Sequence, residues 1–263
     1  ALHHRMMARY NEYLAVGGMP QAVESFVKGE SYQEIDRIKR GIIDLYIDDF
    51  YKIDPTRFLG MYFRSIPSEL SRQSMRFRIK GKAMKAEIKR ISEMVDYQTV
   101  QRSMHVNDPR VGLPMMQDPE FFKLFLEDTG LFVTLCFYDR EFSDNTIYGS
   151  LVRGRLPANL GYVYENAVAQ GLKAAGYGLF YHTFPKNDSK HKYEIDFVIP
   201  SGKKVCPIEV KSSSVSCHAS LDAFIEKHGN DVHRGVVISG KNLREEDGIV
   251  YLPIYMTGLI GRL

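Results

Sequence analysis

The chain has 263 residues, with 35 Lys and Arg against 32 Asp and Glu, a net charge of +3 at pH 7. This length buries a substantial core in one to three domains, and the charge permits nucleic-acid binding without demanding it. A hydrophobic fraction of 44% with 25% charged residues excludes a disordered chain, and no apolar run is long enough to span a bilayer.

The N-terminus has no signal-peptide pattern. The three cysteines, Cys136, Cys206 and Cys217, lack metal-ligand spacing and read as reduced thiols of a cytoplasmic protein. Residues 1 to about 50 read as helical. Met6, Met7, Tyr10, Tyr13 and Leu14 recur at helical spacing, and Gly17-Gly18-Met19-Pro20 breaks that helix. Pro20 opens a second helix with Ala22, Val23 and Phe26 inward. Ser31 caps a third, with Glu34 completing a capping box, and the stripe continues through Ile35, Ile38, Ile42 and Tyr46.

Residues 55–115 are predicted mostly helical, with a strand over Thr99–Val106. The stretch 72–90 is strongly basic: Arg72, Arg76, Arg78, Lys80, Lys82, Lys85, Lys89 and Arg90 stand against Glu87 alone. A basic stripe on a helix–strand unit suits phosphate contacts, whereas a charge run is more commonly a solvated helix face. Asn107–Pro119 holds three prolines and reads as a loop or wing. Phe121–Leu126 is open between strand and helix, and Asp128-Thr129-Gly130 marks a turn.

A helix is predicted over Gly161–Ala175, ended by Gly176. Glu165 shares a face with Val168, Ala169 and Leu172, where a carboxylate is costly unless a cation satisfies it. Leu179–Phe184 is the next strand. His182 on it reads as an ordinary strand histidine. Tyr193–Ile199 and Val205–Lys211 then read as one β-hairpin turned by Pro200-Ser201-Gly202. Cys206, Ile208 and Val210 share one face, and Glu209 and Lys211 share the other. Pairing brings Asp196 within about two residues of Glu209. Two neighbouring carboxylates repel unless a cation intervenes. Hard carboxylate oxygens suit Mg²⁺ or Mn²⁺, and a lysine beside them can hold a water against a phosphate. A short helix at Leu221, Phe224 and Ile225 and strands at Gly235–Ser239 and Gly248–Tyr255 complete the module.

The set Asp196, Glu209 and Lys211, with Glu165 upstream, resembles the PD-(D/E)XK nuclease superfamily. The words Tyr13-Leu14-Ala15-Val16-Gly17-Gly18-Met19-Pro20, Asp44-Leu45-Tyr46-Ile47-Asp48-Asp49 and Phe125-Leu126-Glu127-Asp128-Thr129-Gly130-Leu131 resemble the region behind the nucleotide-binding domain of AAA-type ATPases of the DUF4143 family. The resemblance implies the C-terminal portion of a longer protein with an α/β fold. It implies a helical, ATPase-lid-like region (1–50), a winged-helix-like domain (51–140) and a PD-(D/E)XK nuclease-like domain (141–263). It further implies Asp196, Glu209 and Glu165 as metal ligands and Lys211 as a catalytic residue, while the basic run itself suggests DNA contacts from Arg72, Arg76, Arg78, Lys80 and Lys82. No Walker-type loop is present, so any ATP chemistry belongs to an N-terminal ATPase domain outside this chain. Three functions compete: a metal-dependent nuclease acting on DNA, a non-catalytic DNA- or partner-binding module regulating that ATPase, and a scaffold for homo-oligomerisation. None of them involves a membrane.

Overall fold

A computed structural model describes residues 2–72, 76–77, 84–139, 145–155, 161–186, 191–212 and 217–263. It is a mixed α/β structure that divides into two units, residues 1–101 with 124–170, and residues 102–123 with 171–263.

The first unit is mainly helical: α1 (Leu2–Val16), α2 (Pro20–Val27), α3 (Tyr32–Ile53), α4 (Phe58–Ser71), α5 (Met84–Asp96), α6 (Thr129–Cys136) and α7 (Asn145–Val152), with the first part of α8 (Gly161–Ala174). The break after α1 falls where the glycines predict it, with Gly17 at φ +82°. Ser31 caps α3 through the Glu34 N–H. Ala22 packs with Val16 and Ile35, while Val23, expected inward, is exposed.

The inward stripe of α3 runs Ile35, Lys39, Ile43, Ile47, Phe50, with Ile38, Ile42 and Tyr46 half-buried beside it. The offset from the predicted stripe has a polar cause. Asp36 and Lys39 are fully buried. Asp36 accepts from Arg40 Nε (2.7 Å), Tyr148 Oη (2.5 Å) and Thr134 Oγ1 (3.0 Å). Lys39 Nζ donates to the carbonyls of Ala15 (2.6 Å) and Gly130 (3.2 Å) and lies 3.1 Å from Tyr148 Oη. Each buried charge is thus hydrogen-bonded, the condition under which burial is tolerated.

Burial pushes the Lys39 ammonium down from 10.5 to about 8, against the opposing pull of Asp36 and Asp128. Between these values the unfolded chain binds the extra proton, so stability contributed at this site rises with pH across that window. We expect the unfolding free energy of the wild type, minus that of Lys39→Met, to increase by on the order of 3 kcal/mol from pH 8 to 10.5. Paired urea melts at both pH values check this, and a difference independent of pH contradicts it.

The second unit holds two sheets. The strands are β1 (Val100–Val106), β2 (Gln117–Leu126), β3 (Phe180–Pro185), β4 (Lys192–Ile195), β5 (Phe197–Ser201), β6 (Lys204–Lys211), β7 (Gly235–Ser239), β8 (Arg244–Glu246) and β9 (Ile249–Pro253). One sheet has the order β2-β1-β3-β4, which β1 and β2 join through their residues in 102–123. The other is mixed, β5-β6-β7-β9-β8, with β6, β7 and β9 parallel. Helix α9 (Ala219–His228) crosses from β6 to β7. Its apolar residues Leu221 and Ile225 pack with Val237, Ile249 and Tyr251.

Tyr193–Ile199, expected as one strand, is two. Residues up to Ile195 pair with β3 (His182 with Ile195), and residues from Phe197 pair with β6 (Phe197 with Ile208). The chain changes sheets at Asp196. The hairpin turn stands as expected at Gly202, φ +60°. Phe121–Leu126 resolves as strand, and Leu131–Phe137 lies mostly in α6. Strand β8 was not anticipated.

Candidate active site

The register fixes the centre of the site. Phe197 opposite Ile208 and Ser201 opposite Lys204 place Asp196 opposite Glu209. Ile195 would stand opposite Val210, but it has left for the other sheet. The Val210 N–H therefore loses its ladder partner and donates to Asp196 Oδ2 at 2.7 Å. A buried N–H needs such an acceptor, so the Asp196 carboxylate closes the ladder where the strand switches sheets.

Glu209 is buried, at 6% exposure. Its Oε1 lies 2.6 Å from the half-buried Lys211 Nζ, and its Oε2 accepts from the Leu221 N–H at 3.3 Å. That N–H belongs to the first turn of α9 and has no partner within the helix, and the positive end of the helix dipole favours a carboxylate there. Burial alone would lower the Lys211 pKa. The hydrogen bond to Glu209 and the charges of Glu209 and Asp196 outweigh it, so the ammonium is held above its ordinary value.

The register thus brings Asp196 opposite Glu209, and Lys211 pairs with Glu209. Glu165 stands half-buried on α8 in the first unit, beside buried Val168 and Ala169. Of the basic residues, Arg72 ends α4 and bonds Glu69 at 2.8 Å, and Arg76 is exposed. Arg78, Lys80 and Lys82 lie outside the described residues. His182 is buried, with Nδ1 2.7 Å from the Val106 carbonyl, and burial pushes it down to about 4. It is neutral and part of the packing.

Among the described residues, no group of three or more His, Cys, Asp or Glu side chains gathers to hold a metal. The donor set at the junction is two hard carboxylates and an ammonium. Mg²⁺ characteristically takes one or two carboxylates and completes its shell with water and phosphate oxygens, so Asp196 and Glu209 suit it chemically.

Further residues, not foreseen, lie in the same register row as Glu209 or at the start of α9. Glu209, Val237 and Tyr251 are in register across β6, β7 and β9, and Arg244 on β8 pairs with Tyr251. His218, at the N-cap of α9, places Nδ1 2.8 Å from Asp222 Oδ1 and Nε2 2.9 Å from Tyr251 Oη. The only sequence signal was a His and an Asp four apart at a helix start. Tyr251 is distant in sequence.

Two family models match the chain. Residues 7–141 match a domain of unknown function, DUF8612, and residues 160–256 match another, DUF4143. No curated protein and no solved structure matches.

Proposed function

We propose a function from one premise: the chain belongs to the DUF8612 family, and its residues 160–256 match DUF4143. The reading is a metal-dependent phosphodiesterase centre of the PD-(D/E)XK kind, acting on DNA, in a module attached to an AAA-type ATPase. One observation carries it: Asp196 stands opposite Glu209, with Lys211 on the same strand and its ammonium at Glu209.

Asp196 and Glu209 would hold Mg²⁺ or Mn²⁺. The ion, when bound, lowers the pKa of a water and offsets charge on the phosphate oxygens. Asp196 is held in orientation by the Val210 N–H, and Glu209 by the Leu221 N–H. Lys211, whose Nζ lies beside Glu209, would orient the attacking water and attract the scissile phosphate. Calorimetric titration of Mn²⁺ into the wild type and Asp196→Ala tests the assignment. Binding in the first and none in the second is expected, and equal heats from both place the metal elsewhere.

The second reading is a non-catalytic DNA- or partner-binding module. It is favoured by the fact that both oxygens of Glu209 already have donors, as in a purely structural strut. Gel shift without metal separates a DNA-binding module from one that binds only protein.

For DNA contact we propose the basic segment of the winged-helix-like region. Replacing Arg76, Arg78 and Lys80 by Ala should weaken binding to all sequences alike. The salt slope should fall by about 1 for each phosphate left without its cation. Unchanged affinity and slope would mark the segment as a solvated surface.

A further inference from the structure

The cap of α9 is divided between two groups that belong to different parts of the fold. An N-cap side chain ordinarily accepts a hydrogen bond from the helix's second or third N–H. His218 makes no such bond. The Leu221 N–H goes to Glu209 Oε2 on β6 instead, while the His218 ring turns to Asp222 and Tyr251. The Asp222 carboxylate can only accept, so Nδ1 carries a proton, and Nε2 shares the second hydrogen bond with the Tyr251 hydroxyl.

Tyr251 is 5% exposed and packed with Leu221 and Val237. It shares a register row with Glu209 across the parallel strands. The imidazole therefore ties the first turn of α9 to β9 at the level where that turn also grips Glu209. The Arg244 guanidinium lies over the Tyr251 ring, 4.0 Å from the ring centroid.

We propose that His218 is a positioning residue for Glu209: clamped between Asp222 and Tyr251, it fixes the first turn of α9, and that turn sets the Glu209 carboxylate through the Leu221 N–H. This rests on reading Asp196, Glu209 and Lys211 as the catalytic centre.

The surroundings supply a test that a plain helix cap would fail. His218 lines a groove of about 670 Å³ with Asp222, Arg244 and Tyr251. His218→Ala leaves a space open to that groove, which free imidazole can enter. His218→Asn gives α9 a strong conventional cap but no link to Tyr251. Tyr251→Phe removes the hydroxyl and nothing else.

The full chain, ¹⁵N-labelled and metal-free, is followed at the Leu221 amide, with Mn²⁺-dependent nicking of supercoiled DNA measured in parallel. In His218→Ala, His218→Asn and Tyr251→Phe, the Leu221 amide signal should shift and its exchange accelerate. In all three, kcat should fall about tenfold at unchanged KM, the scale of losing a partner that orients a metal ligand. Imidazole should restore His218→Ala and leave Tyr251→Phe as it was. An unmoved Leu221 signal in Tyr251→Phe, or full recovery by His218→Asn, overturns the proposal. A wild type that neither binds Mn²⁺ nor nicks DNA defeats the catalytic reading instead, and the Leu221 signal still decides the clamp.

Discussion

On the proposed phosphodiesterase reading, Lys211→Ala is expected to slow DNA cleavage by about 10²–10³-fold, the scale of removing one preorganised electrostatic group from a reacting centre, while metal binding persists. The two effects separate because, in the proposed centre, the ammonium and the metal would share a ligand. Lys211 sits on Glu209 Oε1, so its removal leaves Glu209 with only the Leu221 N–H and frees an oxygen for the ion. Metal affinity should hold or tighten. Asp196→Ala removes a carboxylate and also strands the Val210 N–H, so binding and cleavage should both disappear. Single-turnover cleavage of a labelled duplex, beside metal titration, measures the split. Loss of metal binding in Lys211→Ala would contradict the role assigned to the lysine.

Gly130→Ala is expected to be the most damaging small substitution in the first unit. A Cβ at Gly130 would lie 2.5 Å from Gly17 Cα, 2.6 Å from Gly17 N and 2.6 Å from the Val16 carbonyl oxygen, all backbone atoms that cannot rotate away. The approach is held closed by Asp128. Its carboxylate accepts from the Gly18 N–H (2.6 Å) and, as the cap of α6, from the Leu131 N–H (2.8 Å). Separating these backbones also disturbs the Lys39 bond to the Gly130 carbonyl. Overpacking with loss of a buried charged hydrogen bond should cost roughly 3 kcal/mol or more. For a chain of this size, that lowers the melting temperature by about 10 °C. A melting temperature within about 1 °C of the wild type would contradict the close approach.

This meeting of two glycine segments also shows how much of the fold was legible in the sequence. The words around Gly17 and Asp128-Thr129-Gly130 were each readable as a break and a turn, because glycine marks places where the backbone bends or approaches closely. That they touch one another is tertiary information. The alternation around Glu209 and the turn at Gly202 were enough to bring Asp196 within about two residues of Glu209, since antiparallel pairing has a fixed arithmetic, and the observed register makes the two direct partners. The change of sheet at Asp196 was not legible. Alternation runs through Tyr193–Ile199 without a break, and the bond that ends the ladder is made by a side chain to Val210. Lys39 misplaced the stripe of α3, because lysine is rarely buried and its partners, Gly130 and Tyr148, lie about a hundred residues away. Strand β8 is three exposed charged residues and has no hydrophobic period to read. The His218 clamp depends on Tyr251, 33 positions along the chain.

The measurement that bears most directly on the central claim is nicking of supercoiled DNA, with and without Mg²⁺ or Mn²⁺, by wild type and Asp196→Ala purified in parallel. The structure of the junction leads us to expect nicked circles from the wild type only when metal is present, and none from Asp196→Ala. Equal nicking by both proteins, or none by a wild type tested both alone and joined to its proposed ATPase, would contradict the claim that this junction is a phosphodiesterase centre.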